Sequence, residues 1–292
     1  MCIVETKAAE LKDSLFINSL LKKYNINYSS HAFPSLLLWQ ESLGISIYYE
    51  EDFLAVKCGF YGDNAWFFPV GSENKIRKFI ENLVQTKGAV LCYIGEKEAD
   101  FLKKNYGDFF TLERDENSDE YICSIEEHIN MQGPDFAHFR RHFKNFKRNF
   151  TISSVPLSKD NIKDAEFVIS EWEKLKENHN EKVIETDGAE ERAFKYFEEL
   201  GIRGLISYYA EKPVGIILGF PLSDKYFDIY SAKVCTKTEG FGYYIYHEMF
   251  EYLKNDYEFC NLEEDLGISG LRFFKSRIHP SGKNLMYTAR KK

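Results

Sequence analysis

The stretch NLEEDLGISGLRFFK contains three adjacent carboxylates, Glu263, Glu264 and Asp265, after an apolar run, YEFC, that predicts a buried strand. Ligands of open α/β sheets usually bind at the carboxyl ends of strands, which is where these acids fall. A carboxylate at that position can accept a proton from an attacking amine, so all three are candidate catalytic residues. The structural alternative is an ion-pair cluster that fixes the turn, with Arg272 of the next predicted helix as a partner.

The turn KTEGFG joins the predicted strand YFDIYSAKVC to a predicted helix that begins near Phe241. Glycine lets a backbone approach a ligand closely, and the amides at a helix start favour an anion. We therefore expect donor phosphates to bind here and at nearby cations, with these candidate residues: Lys233, Lys237, Gly240, Phe241, Gly242, Arg272 and Lys275. Turns also use glycine for conformation alone, and a solvated side chain is the alternative for Lys233.

Five phenylalanines in DFAHFRRHFKNFKRNF follow a 3-4-3-4 spacing that places every ring on one stripe of a predicted helix. Other positions carry cations, among them Arg140, Arg141 and Lys144. This face is either an ordinary solvated surface or a basic wall for the phosphates of a nucleotide, CoA or tRNA. His138 and His142 share a helix face, but no Glu follows His138 and the neighbouring cations oppose a metal ion, so we predict no metal site.

The composition indicates a globular protein of two domains. The chain has 292 residues, of which 44% are hydrophobic, and its 25 Phe and 19 Tyr supply enough apolar volume for two packed cores. The formal net charge of −8 opposes indiscriminate binding to nucleic acid. A nucleic acid partner is therefore expected only through the local basic helix.

Cysteine usage and the N-terminus indicate a cytoplasmic protein. The six cysteines form no CxxC motif, and five of them fall in apolar runs that predict strands, as small core hydrophobes do. The N-terminus lacks a basic region followed by an apolar core, and no apolar run approaches the length of a membrane span. We expect reduced thiols and no membrane span.

The order of predicted elements repeats in two halves. The first half has two helices, three strands, a helix, a strand, a helix and a final strand pair formed by DFFTLER and DEYICS, and the second repeats this layout from about residue 160. Strands that feed helices and return to strands imply an α/β (α+β) fold with mixed sheets flanked by helices. We predict an N-terminal domain at 1–134, the basic inter-domain helix at 135–150 and a C-terminal domain at 151–292.

The stretch with the three carboxylates resembles the Asn-x-Glu-Glu-Asp-x-Gly-x-x-Gly-Leu-Arg-x-x-Lys signature of the uncharacterised family related to the C-terminal domain of phosphatidylglycerol lysyltransferase. The matching positions are Asn261, Glu263, Glu264, Asp265, Gly267, Gly270, Leu271, Arg272 and Lys275. Such proteins are similar to the tandem GNAT-like fold of the Fem aminoacyltransferases. The turn KTEGFG likewise resembles the acyl-CoA loop of GNAT acyltransferases, with Lys237 where Arg or Gln is usual.

The resemblance implies a transferase that moves an acyl or aminoacyl group from acyl-CoA or aminoacyl-tRNA to an amine or hydroxyl, with no permanently bound cofactor. GNAT-type reactions often use a Tyr as general acid, which makes Tyr287, late in the last predicted strand, a candidate catalytic residue. Lipid-acting relatives carry membrane spans ahead of this domain and this sequence shows none, so lipid lysylation does not follow from the resemblance. The alternative function is a non-catalytic module that binds a nucleotide or RNA in the inter-domain cleft.

Overall fold

The computed structural model describes residues 4–177, 188–236 and 238–292. Its strands are, in chain order, β1 (Ser46–Glu50), β2 (Phe53–Cys58), β3 (Ala65–Phe67), β4 (Val70–Gly71), β5 (Val90–Ile94), β6 (Phe110–Arg114), β7 (Glu120–Ser124), β8 (Ile152–Pro156), β9 (Arg203–Tyr209), β10 (Lys212–Pro221), β11 (Tyr226–Val234), β12 (Phe259–Asn261), β13 (Gly282–Asn284) and β14 (Tyr287–Lys291). Its helices are α1 (Ser14–Tyr24), α2 (Phe33–Leu38), α3 (Glu73–Val84), α4 (Glu96–Tyr106), α5 (Ile125–Asn130), α6 (Ala137–Asn149), α7 (Ile162–Glu177), α8 (Ala189–Lys195), α9 (Phe241–Leu253) and α10 (Ser269–Ile278).

The first of two compact units takes its described residues from Met1–Glu120, Glu264–Gly267 and Asn284–Lys292. Its mixed sheet has the order β1-β2-β3-β5-β14-β6, with β4 beside β2. Strands β3 and β5 are parallel, with Ala65 opposite Val90, and the other pairs are antiparallel. A parallel pair needs a crossover connection, which here contains α3.

The second unit takes its described residues from Tyr121–Glu263 and Ile268–Lys283. Its sheet has the order β13-β7-β12-β11-β10-β9-β8. Strands β11 and β12 are parallel, with Asp228 opposite Asn261, and α9 lies in their crossover. Helix α9 packs against β9, β10 and β11, while α7 packs against β10 and β11. Each unit is therefore a mixed sheet with helices on its faces, as predicted, and each sheet has a central parallel pair.

Each sheet also contains a strand from a distant part of the chain. Strand β14 lies between β5 and β6 in the first unit, and β7 pairs with β12 in the second. The predicted pairing of DFFTLER with DEYICS is therefore wrong, because β6 pairs with β14 and β7 with β12. The compact units also differ from the predicted ranges 1–134 and 151–292, since 121–134 belong to the second unit and 284–292 to the first.

The predicted phenylalanine stripe forms along α6. Its rings lie in the core of the second unit, four of them buried and the last partly buried: Phe136, Phe139, Phe143, Phe146 and Phe150. The rings of Phe146 and Phe241 stack with centroids 4.9 Å apart, which joins α6 to α9. Burial of each such side chain contributes about 1.5–3 kcal/mol. The stripe thus anchors α6 and leaves its other face to the cations.

Candidate functional site

A β-bulge in β11 decides which side chains face each side of the second sheet. Leu218 pairs with Ser231, whereas Phe220 pairs with Asp228, so a step of two residues along β10 matches three along β11. Gly219 lies opposite the bulge, where a Cβ would come 1.9 Å from the carbonyl oxygen of Asp228. The bulge changes the phase of the alternation. The side chains packed in the α9 core are accordingly Phe227 and Ile229 before the bulge, and Ala232 and Val234 after it.

The opposite face carries a polar group of side chains, which we call the β11 cluster: Asp228, Tyr230, Ser231 and Lys233 of β11, Glu190 of α8 and Trp172 of α7. Lys233 forms an ion pair with Glu190, and each side chain is only 6% exposed. The Lys233 ammonium lies 4.8 Å from the centroid of the Trp172 ring, and Ser231 Oγ donates to Glu190 at 3.2 Å. The alternative of a solvated Lys233 is therefore wrong.

The hydroxyl of Tyr230 lies in the same environment. Its oxygen is buried and has no hydrogen-bond partner among the described residues. Burial raises the pKa of Tyr230 well above 10, and the carboxylates of Glu190, Glu263 and Asp228 raise it further. The phenol is therefore protonated at neutral pH and can donate to an oxygen that develops negative charge.

The β11 cluster lies where the parallel pairing of β11 and β12 ends. Asp228 and Asn261 are the last paired residues and both are fully buried. Strand β12 stops at Asn261, whereas β11 continues to Val234. Glu263 follows β12, and its charge acts on Tyr230. This is the position outside the carboxyl ends of strands where open α/β sheets bind ligands.

The three adjacent carboxylates occupy different environments. Glu263 is half-buried in the second unit and has a left-handed backbone with φ 57°. Glu264 and Asp265 belong to the first unit, where Glu264 accepts a hydrogen bond from Tyr93 Oη at 3.3 Å. Asp265 is fully buried, and its Oδ1 accepts from the amide of Gly267 at 2.9 Å. Asp265 thus holds the turn, while Glu263 is the acid whose charge reaches the β11 cluster.

Close packing accounts for both glycines of the sequence KTEGFG, of which Gly240 precedes α9 and Gly242 lies in its first turn. Gly240 is the N-cap residue with φ 91°, and a Cβ there would lie 2.8 Å from the carbonyl oxygen of His142. A Cβ on Gly242 would lie 2.9 Å from the ring of Phe274. The turn and the basic helix α6 therefore meet in the second unit, with backbone against backbone at Gly240.

In the same turn, one of the backbone amides expected to bind an anion is already hydrogen-bonded within the protein. The amide of Phe241 donates to the carbonyl of Thr238 at 3.3 Å, and its ring is buried. The exposed carboxylate of Glu239 lies 3.2 Å from His142 Nδ1, which places a negative charge on this turn. Lys237, the predicted partner for a donor phosphate, lies outside the described residues.

The cations of α6 divide between a structural role and an exposed face. Arg140 Nη1 donates to the carbonyls of Met131 and, at 3.1 Å, Gly133, so it holds the connection from α5 to α6. Arg141 and Lys144 are exposed. They belong to what we call the basic face, five exposed cations of α6 and α10: Arg141, Lys144, Lys147, Arg148 and Arg277.

The basic face has the properties of a surface for a polyanion. None of its cations forms an ion pair with a carboxylate in the part of the chain that the structure describes. Phe273 is 59% exposed, and the Arg277 guanidinium lies 5.2 Å from its ring centroid. Exposed cations beside an exposed ring are the chemistry that binds single-stranded nucleic acid.

The remaining predicted residues lie elsewhere. Lys275 is buried, and its ammonium donates to the carbonyl of Leu262, so it supports the chain after β12. Arg272 is half-buried on α10. Tyr287 belongs to β14 in the first unit, where the Arg114 guanidinium lies 5.1 Å from its ring centroid.

Sequence reasoning missed Asp228, Tyr230, Glu190 and Trp172. A signal existed for Asp228 but not for Tyr230, since the polar residues Asp228, Ser231 and Lys233 follow a spacing of three and then two, as a one-residue bulge in an otherwise alternating strand produces. Glu190 and Trp172 carry no comparable signal, because a single acid and a single Trp on amphipathic helices are ordinary.

Two absences hold over the described ranges 4–177, 188–236 and 238–292. No group of three or more His, Cys, Asp or Glu side chains there is arranged to hold a metal ion. None of the described helices combines the length and the apolar composition needed to cross a membrane.

The model of the family described as phosphatidylglycerol lysyltransferase, C-terminal, matches residues 21–290. No curated protein matches the chain. A crystal structure of a conserved protein of unknown function from Bacteroides thetaiotaomicron is 24% identical, with a TM-score of 0.88, over 99% of this chain and 100% of that chain.

Two further solved structures share the fold. The C-terminal domain of a putative lysylphosphatidylglycerol synthetase from Agrobacterium fabrum is 14% identical, with a TM-score of 0.67, over 95% of this chain and 92% of that chain. L-PGS from Bacillus licheniformis is 15% identical, with a TM-score of 0.64, over 97% and 93%. FemX and a tandem GNAT protein from the clavulanic acid biosynthesis pathway also resemble it, with TM-scores of 0.59 and 0.51 at 7% identity. The predicted tandem GNAT-like fold is confirmed.

Proposed function

Because the chain belongs to the phosphatidylglycerol lysyltransferase C-terminal family, we propose that it transfers an acyl or aminoacyl group, with the β11 cluster and Glu263 as its site. The observation that carries the proposal is the buried hydroxyl of Tyr230, which has no partner among the described residues and lies in the field of three carboxylates. A buried polar group without a partner is costly and needs an explanation, and a role in catalysis is one that also accounts for the neighbouring carboxylates.

The proposed step is the attack of an amine on an ester or thioester. The amine nitrogen forms a bond to the carbonyl carbon, and the bond from that carbon to the leaving oxygen or sulfur breaks. Tyr230 donates its proton to the leaving atom, and Glu263 takes the proton that the attacking nitrogen loses. Passage of that proton from Glu263 to Tyr230 restores both groups. Lys233 and Glu190 are positioning residues that hold β11 and α8 together around the phenol.

Among the two donors, the geometry favours aminoacyl-tRNA over acyl-CoA. The turn before α9 has its Phe241 amide bonded internally and the carboxylate of Glu239 exposed, both of which weaken a pyrophosphate site there. The basic face of the same unit offers five exposed cations to a longer phosphate backbone. The acceptor is an amine or a hydroxyl.

A donor-consumption assay tests the proposal. The protein is incubated with a mixture of labelled aminoacyl-tRNAs or with labelled acetyl-CoA, together with an extract of amines and lipids as acceptors, and transfer of label is measured. We expect transfer from aminoacyl-tRNA, reduced about 10²–10⁴-fold in Tyr230→Phe and in Glu263→Gln. Lys225→Met, an exposed change in the same unit, is the matched control. Transfer at the wild-type rate in both site variants excludes the assigned roles.

The basic face supports a second candidate function, a module that binds RNA without turnover. Five phosphate contacts predict a slope of about −3.5 to −4.5 when log K is plotted against log salt concentration. Lys144→Ala and Lys147→Ala should each make that slope about one unit shallower, while the exposed Lys212 of β10 serves as the control. Steep salt dependence with no loss of label from any donor favours this function over transfer.

A further inference from the structure

The first unit contains a cavity of about 110 Å³ at the carboxyl ends of its parallel strands. Phe68 directly follows β3, and Tyr93 lies near the end of β5. The side chains on which the inference rests are four aromatic rings, one carboxylate and one imidazole: Tyr24, Tyr28, Phe68, Tyr93, Glu98 and His31. The position is the one at which α/β sheets bind ligands.

The charge of the cavity wall is negative. Glu98 lines it, and among the described lining residues there is no Lys or Arg. Tyr28 Oη donates to Glu98 Oε2 at 3.2 Å, and no described cation forms an ion pair with Glu98. Burial raises the pKa of Tyr28, with the charges of Glu98, Glu120 and Glu96 raising it further, so this phenol lies in a field that favours cations.

The imidazole of His31 does not offset that charge. Its Nε2 lies 2.9 Å from the carbonyl oxygen of Phe68, which can only accept, so Nε2 carries the proton. The Nδ1 atom then accepts from Ser30 Oγ at 3.0 Å. Complete burial lowers the pKa of His31 to about 4, and the ring is therefore neutral at physiological pH.

The backbone at Tyr93 is strained in a way that aims its ring. Tyr93 has φ 48° inside a strand. The three-residue step from Leu91 to Ile94 in β5 pairs with the two-residue step from Ala289 to Tyr287 in β14. This is a bulge, a device that re-aims a side chain next to a binding site. Gly95 packs against the same wall, since a Cβ there would lie 1.9 Å from the hydroxyl of Tyr28.

We propose that this cavity binds an alkylammonium group, with the aromatic rings around the cation and Glu98 as its counter-ion. A cavity of about 150 Å³ takes one benzene ring, so about 110 Å³ suits a group of about four or five non-hydrogen atoms. Aromatic faces attract a cation through their quadrupole, and the attraction grows when the cation is desolvated. The site belongs to the first unit and is separate in chemistry from the transfer site proposed for the second.

Calorimetric titration with n-butylammonium chloride, with 1-butanol as the neutral probe of similar size, tests the proposal. We expect butylammonium to bind at least about tenfold more tightly than butanol. Glu98→Gln should weaken butylammonium about tenfold and leave butanol unchanged, whereas Asp100→Asn, an exposed acid of the same helix, should change neither by more than about twofold. Tyr28→Leu should weaken the cation about fivefold, and Tyr28→Phe, which keeps the ring, should not.

Three outcomes overturn the proposal: no binding of butylammonium by the wild-type protein, equal affinity for butylammonium and butanol, or unchanged affinity in Glu98→Gln. Circular dichroism and the thermal midpoint of each variant show that the fold is retained. Glu98→Gln is nearly isosteric, and Tyr28→Phe changes one oxygen, so a loss of cation binding confined to the former supports the counter-ion role.

Discussion

Replacement of Lys233 by Met, or of Glu190 by Gln, leaves one charged member of the β11 cluster buried without its counter-ion. Each side chain of the pair is 6% exposed, so water does not replace the lost partner. Removing one member of a buried ion pair costs about 3–5 kcal/mol of unfolding free energy. The Trp172 ring near Lys233 and the Ser231 hydroxyl on Glu190 offset part of this, and we expect about 3 kcal/mol for each single variant.

The double variant, Glu190→Gln with Lys233→Met, removes both charges. We expect it to cost about 1–2 kcal/mol, well below the sum of about 6 for the two single variants. The matched control is the ion pair of Lys225 and Glu258 in the same unit. Lys225 Nζ lies 2.7 Å from Glu258 Oε1, and the two side chains are 63% and 57% exposed. Lys225→Met should cost less than about 1 kcal/mol, because water solvates the carboxylate that remains.

The loss of unfolding free energy in the second unit is measured by urea unfolding, with the fluorescence of Trp172 as the signal. Trp39 and Trp66 belong to the first unit and are replaced by Phe in the background of every variant. With an m value of about 2 kcal/mol/M, a loss of 3 kcal/mol lowers the midpoint by about 1.5 M. Equal midpoints for Lys233→Met and Lys225→Met refute the reasoning, as does a double variant that costs the full sum.

Two further changes test local features of the fold. Gly240→Ala should destabilise the second unit by about 1–3 kcal/mol, because φ is 91° and the new Cβ would meet the His142 carbonyl. The control, Gly270→Ala, should be neutral or stabilising, since this position is helical and nothing lies within 4 Å of the new Cβ. Thermal midpoints that fall equally in the two variants would contradict this. Burial lowers the pKa of His31 from 6.5 to about 4, so the unfolded chain binds more protons between these values and the first unit loses up to about 3 kcal/mol as pH falls from 6.5 to 4. In His31→Gln, the urea midpoint of the first unit should depend less on pH across that range. An unchanged pH dependence would show that other groups are responsible for it.

Local periodicity predicted most helices and strands of this chain but not the partners of two strands. The alternation predicts strands at DEYICS and at NLMYTA, residues 284–289; β7 lies within the first, and β14 begins at Tyr287 in the second and runs past its end to Lys291. Which sheet a strand joins depends on contacts far along the chain, and alternation within five or six residues holds no information about them. For that reason the sequence did not predict that β7 joins the sheet of the second unit and β14 the sheet of the first.

The site shows a similar division. The carboxylates after β12, the basic helix and Lys233 are all predicted as candidate site residues from residue type and position. Tyr230 was not distinguished among 19 tyrosines, since its special environment comes from a bulge that reverses which side chains face α7 and α8. A phase slip of one residue changes the face of every later side chain in a strand, so site prediction from alternation fails where a bulge occurs.

The place of β14 in the sheet of the first unit leads to a prediction that distinguishes the compact units from the predicted domain at 151–292. Ala289 is fully buried in the core of the first unit, opposite Leu91 and Leu112, so Ala289→Asp places an unpaired carboxylate there and should cost more than about 4 kcal/mol. Hydrogen exchange measured by mass spectrometry should rise across 46–114 and stay unchanged across 203–253. Arg290→Asp, at the exposed neighbouring position, is the control and should alter neither range. If β14 instead stabilised the sheet formed by the later part of the chain, exchange would rise in 203–253, and the assignment of 284–292 to the first unit would be incorrect.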